Sequence, residues 1–483
     1  MKLFSLLKNI NCRVFGNTVI DIKGLYHNDI EVKEGGLFFC LRGTRVDGTD
    51  FVFSAVKNGA VAIVSEQEIQ GLSGVTQIIV RNARETMSEI ASKYYGDPAS
   101  KMIMIGVTGT NGKTTVTNMI AEVIKDNVAV VGTNGIKYAG KTYETGMTTP
   151  DPIELQKYLA MMVRAKIKYV CIEVSAHAID LHKIDGICFD AVVFTNLTED
   201  HLDYFKTIQK YFETKAKLFT PKYAKFAVIN ADDEMGKILE KGINLPYVTY
   251  SICNNASFGA SDLKIEDGYQ SFILNSKQQI KLKMMGKFNV QNALSAISVL
   301  CHFGYDIETI ENRLFGMEAV AGRFNIFHVH GKMVIVDYAH TPDGLKNILF
   351  SAKELAKQNK VISVFGCGGN RETQKRAIMG EISAKYADFT IITSDNPRFE
   401  KRENIASDIA SGIKTDNFSI VLDRKEAIKK AVKMAKSGDI VVVAGKGTEN
   451  YIDENGTKTP YSDIAEIKKL EKENEWILFA YKK

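Results

Sequence analysis

Short apolar runs bounded by glycine, proline or asparagine recur along the chain, and their lengths predict strands more often than long helices. In the opening stretch these are GLFFCLRG at 36–43, AVAIVSE at 60–66 and TQIIV at 76–80. A helical pattern from Ala83 to Tyr95 then meets Gly96, Asp97 and Pro98, which end it and predict a domain boundary. From Lys101 the pattern changes. The strands MIMIGV, VAVVGT, KYVCIEVS, AVVFTN and FAVINAD alternate with helical stretches, which predicts a mostly parallel, doubly wound sheet. A second boundary falls near Gly322 and Arg323. Beyond it MVIVDYA, VISVFGCGG, FTIITSD, FSIVLD and IVVVAGKG alternate with helices in the same way and predict a Rossmann-like unit. The expected fold is α/β in three domains: a small one at 1–98, a central one with a parallel sheet at 99–322, and a third at 323–483.

Length supports the division, because 483 residues exceed what one hydrophobic core usually serves. An apolar content of 45% and a charged content of 25% are those of a soluble globular enzyme. The net charge of +5 comes without long Lys/Arg runs, so it argues against nucleic acid as a partner and suits an anionic small substrate. Seven cysteines with no CxxC pair predict reduced thiols rather than disulfides or a zinc site. The opening MKLFSLLKNINCRVFG has too short an apolar run for a secretory signal, and no later stretch is long enough to span a membrane. A cytoplasmic monomer is expected.

Chemistry enters at Met104–Val116, MIGVTGTNGKTTV, where a strand, a glycine-rich turn and a helix start follow one another. Gly106, Gly109 and Gly112 free the backbone to turn N–H groups inward, the helix beginning near Lys113 aims its positive end at an anion, and Thr114 can hold Mg²⁺. The strict Walker spacing wants glycine at 107, where Val107 stands, so this is a variant P-loop in a central ATPase-like domain. Glu173 and His201 follow strands of the same predicted sheet, at the end where open α/β sheets bind ligands. One carboxylate with Thr114 and phosphate oxygens makes a credible Mg²⁺ shell. His201 has two readings, a metal ligand or a hydrogen-bonded structural residue in a helix-capping Asp-His pair.

Together the motifs resemble the Mur ligase family, and within it the enzymes that add the third amino acid. The matches run through most of the chain: TGTNGKTT (108–115), TTP (148–150), EVSAH (173–177), NLTEDHLDYF (196–205), GKFNVQN (286–292), AGRF (321–324), VDYAHTPD (336–343), GCGGNR (366–371), DNPR (395–398) and AGKGTE (444–449). The resemblance implies ATP-dependent amide formation through an acyl phosphate, with Mg²⁺, on the D-Glu carboxylate of UDP-MurNAc-L-Ala-D-Glu. It further implies that Gly109, Thr110, Asn111, Gly112, Lys113, Thr114 and Thr115 hold the triphosphate. Asn289 and Asn292 then resemble adenine contacts, or alternatively helix caps, and Arg323 and Asp337 phosphate and ribose contacts. Glu173 and His201 look like magnesium ligands, and Lys215 in YFETKAKLF like the family's carbamylated lysine, with Lys217 as its local competitor.

By the same resemblance, domain 1–98 binds the UDP-sugar, with Asp29, Thr148, Thr149, Ser175, Leu181 and Lys183 at the acceptor, and domain 323–483 binds the incoming amino acid. DNPR resembles the signature of enzymes adding meso-diaminopimelate. Arg371 and Arg398 could clamp its distal carboxylate, Asn396 orient it and Glu449 accept from an ammonium, with Asp395, Pro397 and Gly445 completing the site. Departures cluster at the acceptor: Asn28, Asp29 and Ile30 replace Asp-Ser-Arg, Met147 an Asn, Ala176 a Ser, and Leu181 and Lys183 a Gln and an Arg; in the last third Thr448 replaces a His. Two alternatives stay open. One is a ligase for lysine or for another carboxylate acceptor, with folylpolyglutamate synthase a distant cousin; the other is a P-loop protein using nucleotide as a switch.

Overall fold

In the computed structural model, which describes residues 1–43, 46–266 and 268–480 with side chains up to Lys472, the apolar runs pair into three large sheets, beside a two-stranded hairpin of Tyr451–Glu454 and Thr457–Pro460. The first has the order Cys12–Phe15, Thr76–Val80, Ala60–Ser65, Gly36–Phe39, Gly24–Tyr26. Only its Cys12–Phe15 edge pairs antiparallel. The helix Ala83–Tyr94 covers it, capped by Asn82, whose side chain accepts from Arg84 N and Glu85 N, and burying Met87, Ile90 and Ala91. After Gly96 and Asp97, both at positive φ, Pro98 opens the 3₁₀ turn Pro98–Lys101.

The second sheet has eleven strands. Seven run parallel: Phe258–Glu266, Tyr247–Ser251, Ala227–Asn230, Ala191–Phe194, Ile103–Thr108, Tyr169–Glu173 and Val128–Gly132. Tyr169–Glu173 and Ala191–Phe194 are buried throughout, as strands covered on both faces must be. One cover consists of Lys113–Ile124, Lys287–His302 and Ile307–Gly316; the other is led by Pro152–Arg164 and Ile208–Ala216. The expected parallel sheet is thus correct at its centre and incomplete at its ends. Antiparallel Gly135–Tyr138 and Lys141–Tyr143 extend one side, Tyr269–Leu274 and Gln278–Leu282 the other. Runs such as QQIKL mix polar and apolar positions because only one face of an edge hairpin packs, and they fall below the threshold of a pure apolar run.

The third sheet orders Asn325–Val329, Lys332–Asp337, Ile440–Ala444, Val361–Phe365, Phe389–Ile392 and Phe418–Ile420, parallel but for the first pair. Helices Pro342–Ala356, Gln374–Tyr386 and Arg402–Ala410 pack on one face, Arg424–Met434 and Asp463–Ala480 on the other. This is a doubly wound sheet with one antiparallel edge.

An ion cluster joins the first sheet's helix to the central unit. Glu85, His182 and Asp185 converge closely enough to bind a metal, but the Lys222 ammonium already lies between Glu85 (3.0 Å) and Asp185 (3.2 Å). All seven cysteines are free, and among the described residues no helix is long and apolar enough to cross a membrane.

Candidate active site

Loops at the C-terminal ends of the central and third parallel sheets face each other across a cleft of about 930 Å³. That is the end of an open α/β sheet where ligands bind.

The strand Ile103–Thr108 delivers the chain into the phosphate loop, and Lys113 opens the helix Lys113–Ile124. Gly109 (φ +147°) and Gly112 (φ +88°) are required twice over. A Cβ on the first would meet Thr195 Oγ1 at 1.9 Å, and on the second Asn292 Oδ1 at 2.5 Å. Gly106 serves differently from expectation: it lies within the strand at negative φ and makes room for the Phe189 ring. Asn196 clamps the loop, its backbone oxygen accepting from Thr110 N and its side chain from Asn111 N, both at 2.9 Å. The Lys113 ammonium curls back onto Gly109 O and Thr110 O, at 2.9 Å each. Burial pushes its pKa down. Thr115 lines the same wall.

Glu173, last residue of its strand and 1% exposed, accepts from Thr114 Oγ1 (2.9 Å), Thr133 N (2.9 Å) and Thr133 Oγ1 (3.1 Å). Arg323, on the link into the third unit, stacks on the Tyr338 ring and donates to Thr114 Oγ1 at 3.1 Å. Asp337 spends both carboxylate oxygens on backbone N–H groups of Phe324 and Ala339, which fixes that link. Asn289 and Asn292 lie within the helix Lys287–His302 rather than capping it, hydrogen-bonded to each other and lining the cleft beside Gly112.

His201 sits at positive φ before the short helix Leu202–Phe205, its ring edge-on to His177 and 3.4 Å from Asp200. Desolvation lowers its pKa to about 4, so the imidazole is neutral. Lys215 is buried on the helix Ile208–Ala216, donating to Gly109 O (2.9 Å) beside the Tyr211 ring, whereas Lys217 is exposed. Burial first, and Lys113 second, push the Lys215 amine well below its ordinary pKa.

At the acceptor side Thr148, Thr149, Ser175, Leu181 and Lys183 line the cleft. Thr149 Oγ1 bonds Glu173 O, and Ser175 caps the helix Ala176–Asp180. The Lys183 ammonium is committed to Asp151 (2.9 Å), Thr149 O and the Met147 sulfur. Asp29 is not among the lining residues; it lies in the 3₁₀ turn Asp29–Glu31, which Asn28 caps.

At the opposite end Arg371, Asp395, Asn396, Arg398, Gly445 and Glu449 line the cleft, and Pro397 lies behind it with its carbonyl against Gly369. Both arginines crowd Gly368, where a Cβ would be 2.9 Å from Arg398 Nη1 and 3.9 Å from Arg371 Cγ. Arg398 also donates to Gly369 O at 2.6 Å. Sequence reasoning missed Lys446, fully buried within the AGKGTE motif. It donates to Asn396 Oδ1 (2.9 Å) and Glu449 Oε2 (3.0 Å), so Glu449 already holds one ammonium. His177, Asp200, His340 and Lys375 were missed as well and line the centre.

This division into three units matches known proteins. The Mur ligase family catalytic domain matches residues 21–95, the Mur ligase middle domain 107–300, and the Mur ligase glutamate ligase domain 322–447. The chain is 40% identical to the UDP-N-acetylmuramoyl-L-alanyl-D-glutamate–2,6-diaminopimelate ligase 1 of Clostridium acetobutylicum over 97% of its own length and 98% of that protein's. To the ligase of that name from Caldanaerobacter subterraneus subsp. tengcongensis it is 39% identical over 98% and 100%. A solved structure of a ligase with that name superposes with a TM-score of 0.71 at 30% identity, covering 98% of this chain and all of the other. The phosphate loop, the facing sheets and these relatives lead to one assignment: the chain belongs to the Mur ligase family of ATP-dependent amide ligases.

Proposed function

We propose that this enzyme joins 2,6-diaminopimelate to the D-Glu side-chain carboxylate of UDP-MurNAc-L-Ala-D-Glu, using ATP, in cytoplasmic peptidoglycan precursor synthesis. The observation that carries the reading is the cleft itself, with a phosphate loop at one end and, at the other, a pocket rich in both carboxylates and guanidinium groups. A carboxylate is a poor electrophile. Transfer of the γ-phosphoryl group to it creates an acyl phosphate, from which the incoming amine displaces phosphate.

The loop amides before the helix and the Lys113 ammonium gather phosphate oxygens, and Arg323, already on Thr114, brings a second cation from the facing unit. Thr114 and Glu173 make an oxygen-only donor pair that suits Mg²⁺, with the neutral His201 imidazole a further candidate ligand. Bound there, Mg²⁺ would offset charge between the triphosphate and the acceptor. Lys215 is the candidate for carbamylation, because burial that lowers its pKa favours the unprotonated amine that attacks CO₂, losing a proton as the carbamate forms. Asn289 and Asn292 flank the loop where adenine would lie, and Asp337 acts through the link it anchors.

Arg398 and Arg371 suit a distal carboxylate that lysine lacks, and an amine without it leaves both guanidinium groups unpaired. Thr148, Thr149, Ser175 and Lys183 serve the acceptor, with Met147 and Leu181 giving that side a less polar lining. The test is mass-spectrometric identification of the product made from UDP-MurNAc-L-Ala-D-Glu and ATP with diaminopimelate or with lysine. Diaminopimelate should be the faster amine by orders of magnitude. Faster turnover with lysine would overturn the reading, and ATP hydrolysis independent of acceptor and amine would point to a nucleotide switch.

A further inference from the structure

Two loops build the amino-acid end of the cleft, one leaving the strand Phe389–Ile392 and carrying Asp395–Arg398, the other leaving Ile440–Ala444 and carrying Gly445–Glu449. They are not neighbours in the sheet, since Val361–Phe365 runs between them. On the cleft side they meet through exchangeable polar contacts: Asn396 Nδ2 to Glu449 Oε2 at 2.8 Å, and Lys446 to both. An entering amino acid with its own ammonium and carboxylates competes for those partners.

Behind the loops lies a second tie that no ligand can reach. Arg424, first residue of Arg424–Met434, and Asp463, first residue of Asp463–Ala480, are both 0% exposed and pair fork to fork, Nε to Oδ1 at 2.8 Å and Nη2 to Oδ2 at 2.7 Å. The remaining donors reach one loop each: Nη1 donates to Ser394 O at 3.3 Å and Nη2 to Ala444 O at 2.8 Å. Tyr461 Oη donates to Asp463 Oδ1 at 3.0 Å. Neither Arg424 nor Asp463 lines the cleft. A buried ion pair is weak evidence for stability, since apolar residues of similar volume often serve as well. What an apolar pair cannot do is hold two carbonyls from separate strands on one rigid plane.

We propose that Arg424, oriented by Asp463, is a positioning residue for the amino-acid pocket, fixing the spacing between the Ser394–Arg398 and Ala444–Glu449 loops while their cleft-side contacts exchange with substrate. The inference rests on the assignment of that pocket to the incoming amino acid. Its test uses the full-length enzyme and three variants: Arg424→Lys, Asp463→Asn and the double apolar swap Arg424→Met/Asp463→Leu. KM for diaminopimelate, KM for ATP, kcat and Tm are measured for each.

All three should raise KM for diaminopimelate by at least about tenfold while KM for ATP stays within about twofold. In the apolar swap Tm should return toward wild type while KM for diaminopimelate stays high. Recovery of that KM along with Tm would show the pair to be structural only and overturn the proposal, as would equal rises in both KM values for Arg424→Lys. Should the double variant not fold, Arg424→Lys decides on the same KM ratio. If the wild-type enzyme ligates a different amine, the assignment of the amine fails but the tie does not, and it is then scored on the KM for that amine.

Discussion

The two ends of the cleft handle charge in opposite ways. At the phosphate loop the Lys113 and Lys215 side-chain nitrogens rest on backbone carbonyls, Gly109 O among them in both cases, and burial pushes both pKa values down. At the amino-acid end Lys446 is matched by Glu449 at 3.0 Å and by Asp395 at 3.8 Å, with Asn396 between. The first end holds Lys113 against carbonyl partners and gains when an anion arrives; at the second Lys446 is already paired, while Arg398 rests on a backbone carbonyl and awaits a substrate carboxylate. Affinity for phosphate therefore comes from a cation with only carbonyl partners, and selectivity for the amine from whether its distal carboxylate reaches the two guanidinium groups while its ammonium exchanges with Lys446.

The comparison breaks most readily at Lys113. Lys113→Ala should lower kcat by about 10³-fold or more, the loss of a preorganised cation at developing charge, while the fold survives. ADP release coupled to ligation, with circular dichroism as the folding control, measures it; activity within tenfold of wild type would mean that the backbone amides alone hold the phosphates. Lys215→Ala should be nearly as inactive, but short carboxylic acids should restore part of the rate by replacing the missing oxygens. Lys217→Ala, at an exposed position one turn-half away, should be indistinguishable from wild type. Equal behaviour of the two variants would remove Lys215 from the chemistry.

Much of this was legible in the chain because the phosphate end is written in consecutive residues. Strand, glycines, Lys113 and Thr114 occupy one short stretch, and a buried parallel strand such as Tyr169–Glu173 announces itself as a pure apolar run. The amino-acid end was legible in part. Asn396 and Glu449 could be named, but that Lys446 sits between them depends on loops from two non-adjacent strands meeting above the sheet, which no local pattern encodes. The edge hairpins escaped because one open face dilutes their apolar signal, and Asp29 was drawn toward the cleft by alignment to a motif that this chain has lost. Lys183, read as an acceptor contact, lines the cleft, and its pairing with Asp151 from another loop is what the sequence did not reveal.

At the amino-acid end the effects should be smaller and should divide by substrate. Arg398→Ala removes one guanidinium held at Gly369 O and should raise KM for diaminopimelate about 10²-fold, with KM for ATP changed by less than about twofold. Steady-state kinetics with each substrate varied in turn checks it. A rise shared equally by both would mean that Arg398 shapes the whole cleft and that the two ends are not separable.

The smallest effect should come from a cluster outside the cleft. Lys222 joins Glu85 of the first unit to Asp185 of the central one, and Asp185 is buried while Lys222 is half-exposed. Burial works to raise the Asp185 pKa, but hydrogen bonds from His182 and Tyr223, with the charge of Lys222, outweigh it and hold the carboxyl below its usual 3.8. A depressed carboxylate contributes stability that is present above the unfolded value and lost as pH falls through the folded one, so this cluster loosens only below about pH 4. Lys222→Met should therefore cost about 1 kcal/mol at pH 7, discounted for the exposure of the ammonium, and less as the medium becomes acidic enough to protonate Asp185. Urea midpoints at pH 7 and pH 3.5 measure both. Because the joint touches neither end of the cleft, KM for ATP and KM for diaminopimelate should stay within about twofold of wild type; a selective rise in either would mean that the seating of the first unit sets the spacing at that end.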